Sequence, residues 1–203
     1  MIGKVPDGWR VEKLKNLIPP NKKTAYISNA LDMVEDQSWL SEFTRQDTSD
    51  LAGVGLDVDR FDLRKYFDNP AKLEQDIRKY GVIWVSGGNV FVLRQAMQLS
   101  GFDKVLTNLA KEDGVLYGGY SAGVCVLAPS LRGLELVDST TNTPYGNKVS
   151  LIWEGLSLLP HAIVPHFNSN HPESKAINNV VTYYDKHGIE YKAIKDGEVI
   201  VIE

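Results

Sequence analysis

The run Gly118-Gly119-Tyr120-Ser121-Ala122-Gly123 holds a serine with glycine two residues before it and two after. An apolar stretch, Val115-Leu116-Tyr117, precedes it, and Val124 to Ala128 follows as a short helix closed by Pro129. A serine on a sharp strand-to-helix turn is the layout of a nucleophile elbow, where tightness of the turn demands small flanking residues. A helix beginning there would aim its free N–H groups and the positive end of its dipole at the reacting centre. The chemistry this predicts is acyl transfer through Ser121.

Serine needs a base to take its proton. Of the four histidines, His187 stands before Gly188 at an expected helix C-terminus and reads as a cap. His171 falls in a polar loop and reads as solvated, and His161 follows Leu159-Pro160 at a turn. His166 ends an apolar strand after Pro165, where sheet-end loops place functional groups, and is the candidate base. The acid that would orient it is Glu135 or Asp138, both in the segment after the elbow helix, while Glu154 reads as a turn residue.

A second turn, Ser86-Gly87-Gly88-Asn89, also links an apolar strand to a helix. In an open parallel sheet, such turns line the carboxyl edge together. The Gly88 and Ala122 N–H groups are therefore the candidate oxyanion hole. The turn matches neither the Walker nor the dinucleotide glycine pattern. Cys125 reads as a small core residue, since nothing nearby would lower its pKa. No His, Cys and carboxylate cluster has metal-ligand spacing, so neither metal nor cofactor is expected.

The elements that must hold these residues alternate. Thr24–Ser28, Val58–Leu63 and Val82–Val85 read as strands; Asp36–Asp50, Pro70–Tyr80, Val90–Leu99, Asp103–Glu112 and Glu173–His187 read as helices. A short helix is expected over Val11–Leu17, loops with a possible hairpin over Leu131–Ile152, a strand at Ala162–Val164, and a terminal hairpin of Tyr191–Ile194 with Val199–Ile202. Short continuous apolar strands between helices imply a parallel sheet covered on both faces. No internal repeat or linker interrupts the 203 residues, so one α/β domain over 1–203 is expected.

The composition is that of an ordinary globular chain, 43% hydrophobic and 24% charged. A net charge of −4 without a basic block argues against nucleic acid or an anionic membrane as partner. No apolar run approaches the roughly 20 residues that span a bilayer. The single cysteine, Cys125, excludes an intramolecular disulfide, and the N-terminus lacks a signal-peptide core, so a cytoplasmic enzyme is expected.

Three segments together resemble peptidase family S51, the peptidase E (aspartyl dipeptidase) group related to cyanophycinase. Val85-Ser86-Gly87-Gly88-Asn89-Val90-Phe91 is similar to its Gly-Gly-Asn-Thr-Phe turn. Gly118 to Gly123 resembles its Gly-x-Ser-Ala-Gly elbow. Gly155 to Pro160, followed by Ile163-Val164-Pro165-His166-Phe167, resembles its Gly-Leu-Gly-Leu and Pro-His-Phe/Tyr segments. The resemblance implies a flavodoxin-like or class I glutamine amidotransferase-like three-layer fold. It further implies a serine peptidase acting on short peptides, with Ser121 as nucleophile, His166 as base, Gly88 and Ala122 as oxyanion donors, Asn89 lining the substrate pocket, and a possible homodimer; the alternatives are a cyanophycinase-like isoaspartyl amide hydrolase or a non-catalytic binding relative of the family. For the acid, ungapped matching of Pro129–Pro144 favours Asp138, while counting from the serine favours Glu135.

The sequence departs from that pattern in three places. An arginine that recognises the substrate aspartate is replaced by a shorter segment, 168–175, offering only Lys175, which does not reproduce a bidentate clamp. The polar opening, Met1 to Gly8, stands where relatives carry an apolar strand, and relatives run on past Glu203. An edge strand is thus expected to be missing, leaving backbone that could pair with another subunit.

Overall fold

A computed structural model of the chain describes residues 17–112, 115–146 and 150–202. Apart from Leu17, the helix expected over Val11–Leu17 lies outside the described residues, as does the polar opening.

Four parallel strands form the central sheet in the order β2-β1-β3-β4: β1 (Lys23–Ile27), β2 (Asp57–Arg60), β3 (Val82–Val85) and β4 (Leu116–Gly119). This order places a topological switch point between β1 and β3, where ligands of open α/β sheets bind at the strands' carboxyl ends. The side chains of β1 and β3 divide by alternation. Ala25, Ile27, Ile83 and Val85 enter the large core, while Tyr26 and Val82 pack with Leu51 and Leu56 on the other side. Both faces are thus buried, and the mainly parallel three-layer α/β arrangement expected from the strand pattern is present.

The helices start where short polar side chains can cap them. Asp36 accepts from the Trp39 N–H at the start of α1 (Gln37–Gly53). Asn69 caps α2 (Pro70–Ile77), with Pro70 in its first turn. Asn89 caps α3 (Val90–Ser100), and Gly101, at φ 77°, ends that helix and turns directly into α4 (Phe102–Lys111). The one-turn helix α5 (Ala122–Cys125) follows the elbow, and α6 (Ser174–His187) stops at Gly188, φ 64°.

The C-terminal reading is corrected. β5 (Ala162–Val164) pairs in parallel with β6 (Tyr191–Ala193) as a separate two-stranded sheet. The turn expected at 195–198 does form, with the Glu198 N–H donating to the Lys195 carbonyl, but 199–202 makes no returning strand. The Phe167 N–H instead continues the parallel ladder onto the Ile194 carbonyl. Within 131–152 the described residues form no hairpin; a 3-10 turn at Leu134–Leu136 stands there, and a single antiparallel bridge, Ser130–Glu154, flanks the segment.

Candidate active site

Ser121 follows β4 and begins α5 with φ 48° and ψ −121°, outside even the left-handed helical well. A non-glycine residue held there costs on the order of 1–3 kcal/mol and persists only when its surroundings enforce it. The enforcing contacts converge on the Val85 carbonyl at the end of β3. A Cβ on Gly119 would stand 2.6 Å from that oxygen, and one on Gly123 would overlap it outright. The Tyr120 N–H donates to the same oxygen at 3.3 Å. The two glycines flanking the serine are therefore required by close approach of two backbone segments. Below, the Tyr120 and Tyr26 hydroxyls share the carboxylate of Asp47 on α1. Burial raises the pKa of Asp47, while the two phenols that donate to it hold it down.

The β3 turn lies against this elbow: a Cβ on Gly87 would meet the Tyr120 ring at 2.8 Å and Ser121 Cβ at 3.0 Å. Gly88 takes φ 134° because its backbone presses on the Ala30 carbonyl, where a Cβ would come within 2.6 Å. Among the described residues neither the Gly88 nor the Ala122 N–H donates a hydrogen bond, so both donors are free. Asn89 is committed elsewhere. Its Oδ1 accepts from the Phe91 and Val92 N–H groups and its Nδ2 donates to the Ser139 carbonyl. At 1% exposure it is buried as a cap and tether.

A cavity of about 20 Å³ opens beside Ser121, lined among others by Ala122, Cys125, Asp138, Pro165 and Glu173. That is room for about one water molecule. Asp138 accepts from the Val90 N–H at 2.8 Å. Burial pushes its pKa up to about 7, opposed by that N–H and assisted by the Glu173 charge. Cys125 is buried with Sγ on the Ile163 carbonyl at 3.4 Å, and burial raises its thiol pKa, as its reading as a core residue requires.

His166 follows β5 with φ 61°, and its Nδ1 meets Asp196 Oδ1 at 2.6 Å. Among the described residues no hydrogen bond joins it to Ser121, although its neighbour Pro165 lines the Ser121 cavity. Catalytic contacts are often long before substrate binds. Neither carboxylate singled out from the sequence meets His166. Glu135 turns onto the Gly133 N–H of its own 3-10 turn, and Asp138 onto Val90. Asp196 comes from the turn after β6, beside His166 only because β5 and β6 run parallel. Reading that segment as a hairpin hid the contact.

His171 is not solvated as its loop suggested. Its ring stacks on His166 with centroids 3.8 Å apart, and Glu173 stands nearby, its Oε2 3.9 Å from His171 Nδ1. One donor atom from each of His166, His171 and Glu173 lies within 4.8 Å of the others. Sequence spacing gave no sign of this cluster because the positive-φ residues His166 and Asn168 fold the loop back on itself. His187, at the end of α6, bonds the Tyr183 carbonyl through Nδ1 at 2.7 Å. No described helix is long and apolar enough to cross a membrane.

Known proteins resemble this chain. An uncharacterized peptidase of Listeria monocytogenes is 32% identical over 136 residues, which is 66% of this chain and 62% of that protein. One of Listeria innocua is 32% identical over 127 residues, 62% of this chain and 57% of that one. A probable alpha-aspartyl dipeptidase of Drosophila melanogaster is 26% identical over 135 residues, 64% of this chain and 53% of its own length. The matches thus span about three fifths or less of these relatives. The solved structure of a peptidase E candidate from Listeria monocytogenes superposes with a TM-score of 0.70 at 24% identity, covering 92% of this chain and 85% of that one, and shares the fold. The model of Peptidase family S51 matches residues 10–203, and the chain belongs to that family.

Proposed function

We propose that the chain is a serine-type peptidase that hydrolyses short peptides through an acyl-enzyme. The observation that carries this reading is the backbone of Ser121, held at φ 48° and ψ −121° between two glycines that cannot be larger, with two free N–H groups on turns that touch it. Family membership and the names of the peptidase relatives support the same reaction class.

In this reading Ser121 Oγ attacks the scissile carbonyl and His166 Nε2 takes its proton. Asp196, on Nδ1, holds the imidazole in the tautomer that leaves Nε2 its lone pair and stabilises the imidazolium that forms. The Gly88 and Ala122 N–H groups receive the oxyanion. His166 then protonates the leaving amine, and water enters to release the acyl group. Asp138 is the one of the two sequence-derived carboxylates that borders the cavity. With its pKa near 7, it is part-neutral at neutral pH and repels a neighbouring oxyanion less than an ordinary carboxylate would. Lys175 does not supply a bidentate arginine clamp for an aspartate side chain.

The test uses purified protein, a fluorophosphonate probe and a dipeptide panel that includes α-aspartyl and β-linked substrates. Wild type labels on Ser121 and turns over at least one peptide, and Ser121→Ala and His166→Ala lose both. Folded protein that neither labels nor cleaves any of the panel refutes the reading, and turnover confined to β-linked substrates moves it to isoaspartyl amides.

A further inference from the structure

His166 also belongs to a cluster whose other members, His171 and Glu173, have no part in the hydrolysis described above. His166 and His171 lie ring on ring, 3.8 Å between centroids and 9° between planes, and both rings are largely shielded, at 14% and 13% side-chain exposure. Two imidazoles and one carboxylate gathered within 4.8 Å are the donor set of zinc centres that keep an open coordination position.

The hydrogen bonds around the cluster favour coordination. Asp196 is a hydrogen-bond acceptor on His166 Nδ1, so that nitrogen carries the proton and Nε2 keeps its lone pair. A carboxylate on the distal nitrogen of a histidine is the usual outer support of a metal ligand. The Glu173 N–H donates to His171 Nδ1 at 3.2 Å, which fixes a lone pair on that nitrogen, pointed toward Glu173. The same nitrogen is 3.9 Å from Glu173 Oε2. An ion entering between them exchanges one long N–H···N contact for two coordinate bonds. Glu173 and Asp196 supply two negative charges around a dication.

We propose that His166, His171 and Glu173 bind a divalent transition-metal ion of the Zn²⁺ class, and that the bound ion stops hydrolysis by occupying the lone pair with which His166 takes the serine proton. The binding half stands on the cluster alone; the inhibitory half rests on His166 as the base. Metal coordination and general-base action compete for one nitrogen, so inhibition is reversible by a chelator.

Isothermal titration with Zn²⁺ and the visible absorption of added Co²⁺ read binding without reference to catalysis. Wild type takes up one ion, with tetrahedral-type Co²⁺ absorption. His171→Ala weakens Zn²⁺ binding by about a hundredfold, and Glu173→Gln, which keeps the shape of the side chain, by about tenfold. Zn²⁺ at the concentration that fills the wild-type site abolishes peptide cleavage, EDTA restores it, and His171→Ala cleaves through that concentration. Absence of binding to wild type, or equal affinity in wild type and both variants, overturns the proposal. Binding lost in the variants, in a protein that cleaves no peptide, would uphold the metal site and refute the peptidase reading. Cleavage untouched by saturating Zn²⁺ would remove the inhibitory half.

Discussion

Replacing Asp196 with asparagine removes one charge and nearly nothing else. The backbone N–H of Asp196 donates to Ser169 Oγ at 2.7 Å, a contact asparagine retains, so the turn is expected to fold unchanged. The lost interaction is the carboxylate 2.6 Å from His166 Nδ1. A histidine that acts as general base carries no charge before it reacts, and the carboxylate then contributes only a hydrogen bond. Once the imidazole holds the serine proton, a full positive charge faces the carboxylate. At a charge separation of about 4 Å and an effective dielectric constant of about 20, that attraction is about 4 kcal/mol. With Asp196 at 24% exposure, water trims this value only in part. Asparagine can also turn its amide nitrogen toward Nδ1, which selects the tautomer with no lone pair on Nε2. Asp196→Asn should therefore lower the second-order rate of fluorophosphonate labelling, and kcat/KM on any cleaved dipeptide, by about a thousandfold. The labelling rate needs no knowledge of the natural substrate. A variant within about tenfold of wild type, with an unchanged melting temperature, refutes Asp196 as the orienting acid. If Asp138→Asn shows the thousandfold loss in its place, the role belongs to the carboxylate bordering the cavity.

Two further outcomes follow from the packing. Gly123→Ala drives a Cβ into the Val85 carbonyl and should cost about 1–3 kcal/mol, seen as a fall in Tm of roughly 2–12 °C with loss of labelling. Gly53→Ala, at the open end of α1, should leave Tm level or raise stability by about 0.5–1 kcal/mol, and equal Tm values for the two variants would undo the close-approach argument. Asp138, whose pKa is raised from 3.8 to about 7, binds its proton more tightly folded than unfolded. Stability should therefore fall as pH rises between those values, by up to about 4 kcal/mol from this group. Asp138→Asn should flatten that slope in urea titrations across pH 4 to 8, and parallel slopes in the two proteins would contradict the burial of its charge.

The parts legible in the sequence were those fixed by short-range chemistry. Strands β1, β3 and β4 announced themselves by apolar runs, and the Asn89 and Pro70 helix starts by capping and φ preference. Ser121 was legible because the glycines around it answer a steric demand that any chain at such a turn must meet. The contact between Asp196 and His166 was not, because it depends on which way β6 runs. Tyr191–Ile194 followed by a Lys-Asp-Gly-Glu turn has the signature of a hairpin, and local residues do not record that the strand pairs in parallel with β5. His171 was misread for a related reason. Its neighbours are polar, and only the left-handed residues His166 and Asn168 bring its ring back over His166. The tether from Asn89 to the Ser139 carbonyl was not legible, since it joins residues fifty positions apart.

The convergence of Gly119, Tyr120 and Gly123 on the Val85 carbonyl bears on which changes of length the chain can absorb. A residue added to or removed from β3 or β4 displaces one strand by about 3.3 Å against the other and turns its side chains to the opposite face. The oxygen then meets a different part of the elbow, and the serine is no longer held. Among its described residues, the long segment from Ser130 to Glu154 is tied at separate points: at its ends by the Ser130–Glu154 bridge, at Asp138 and Ser139 by Val90 and Asn89, and at Tyr145 by Asp32. Growth and shrinkage are therefore tolerable between those ties and forbidden in the strands, so a chain can change length there and keep the turn at Ser121.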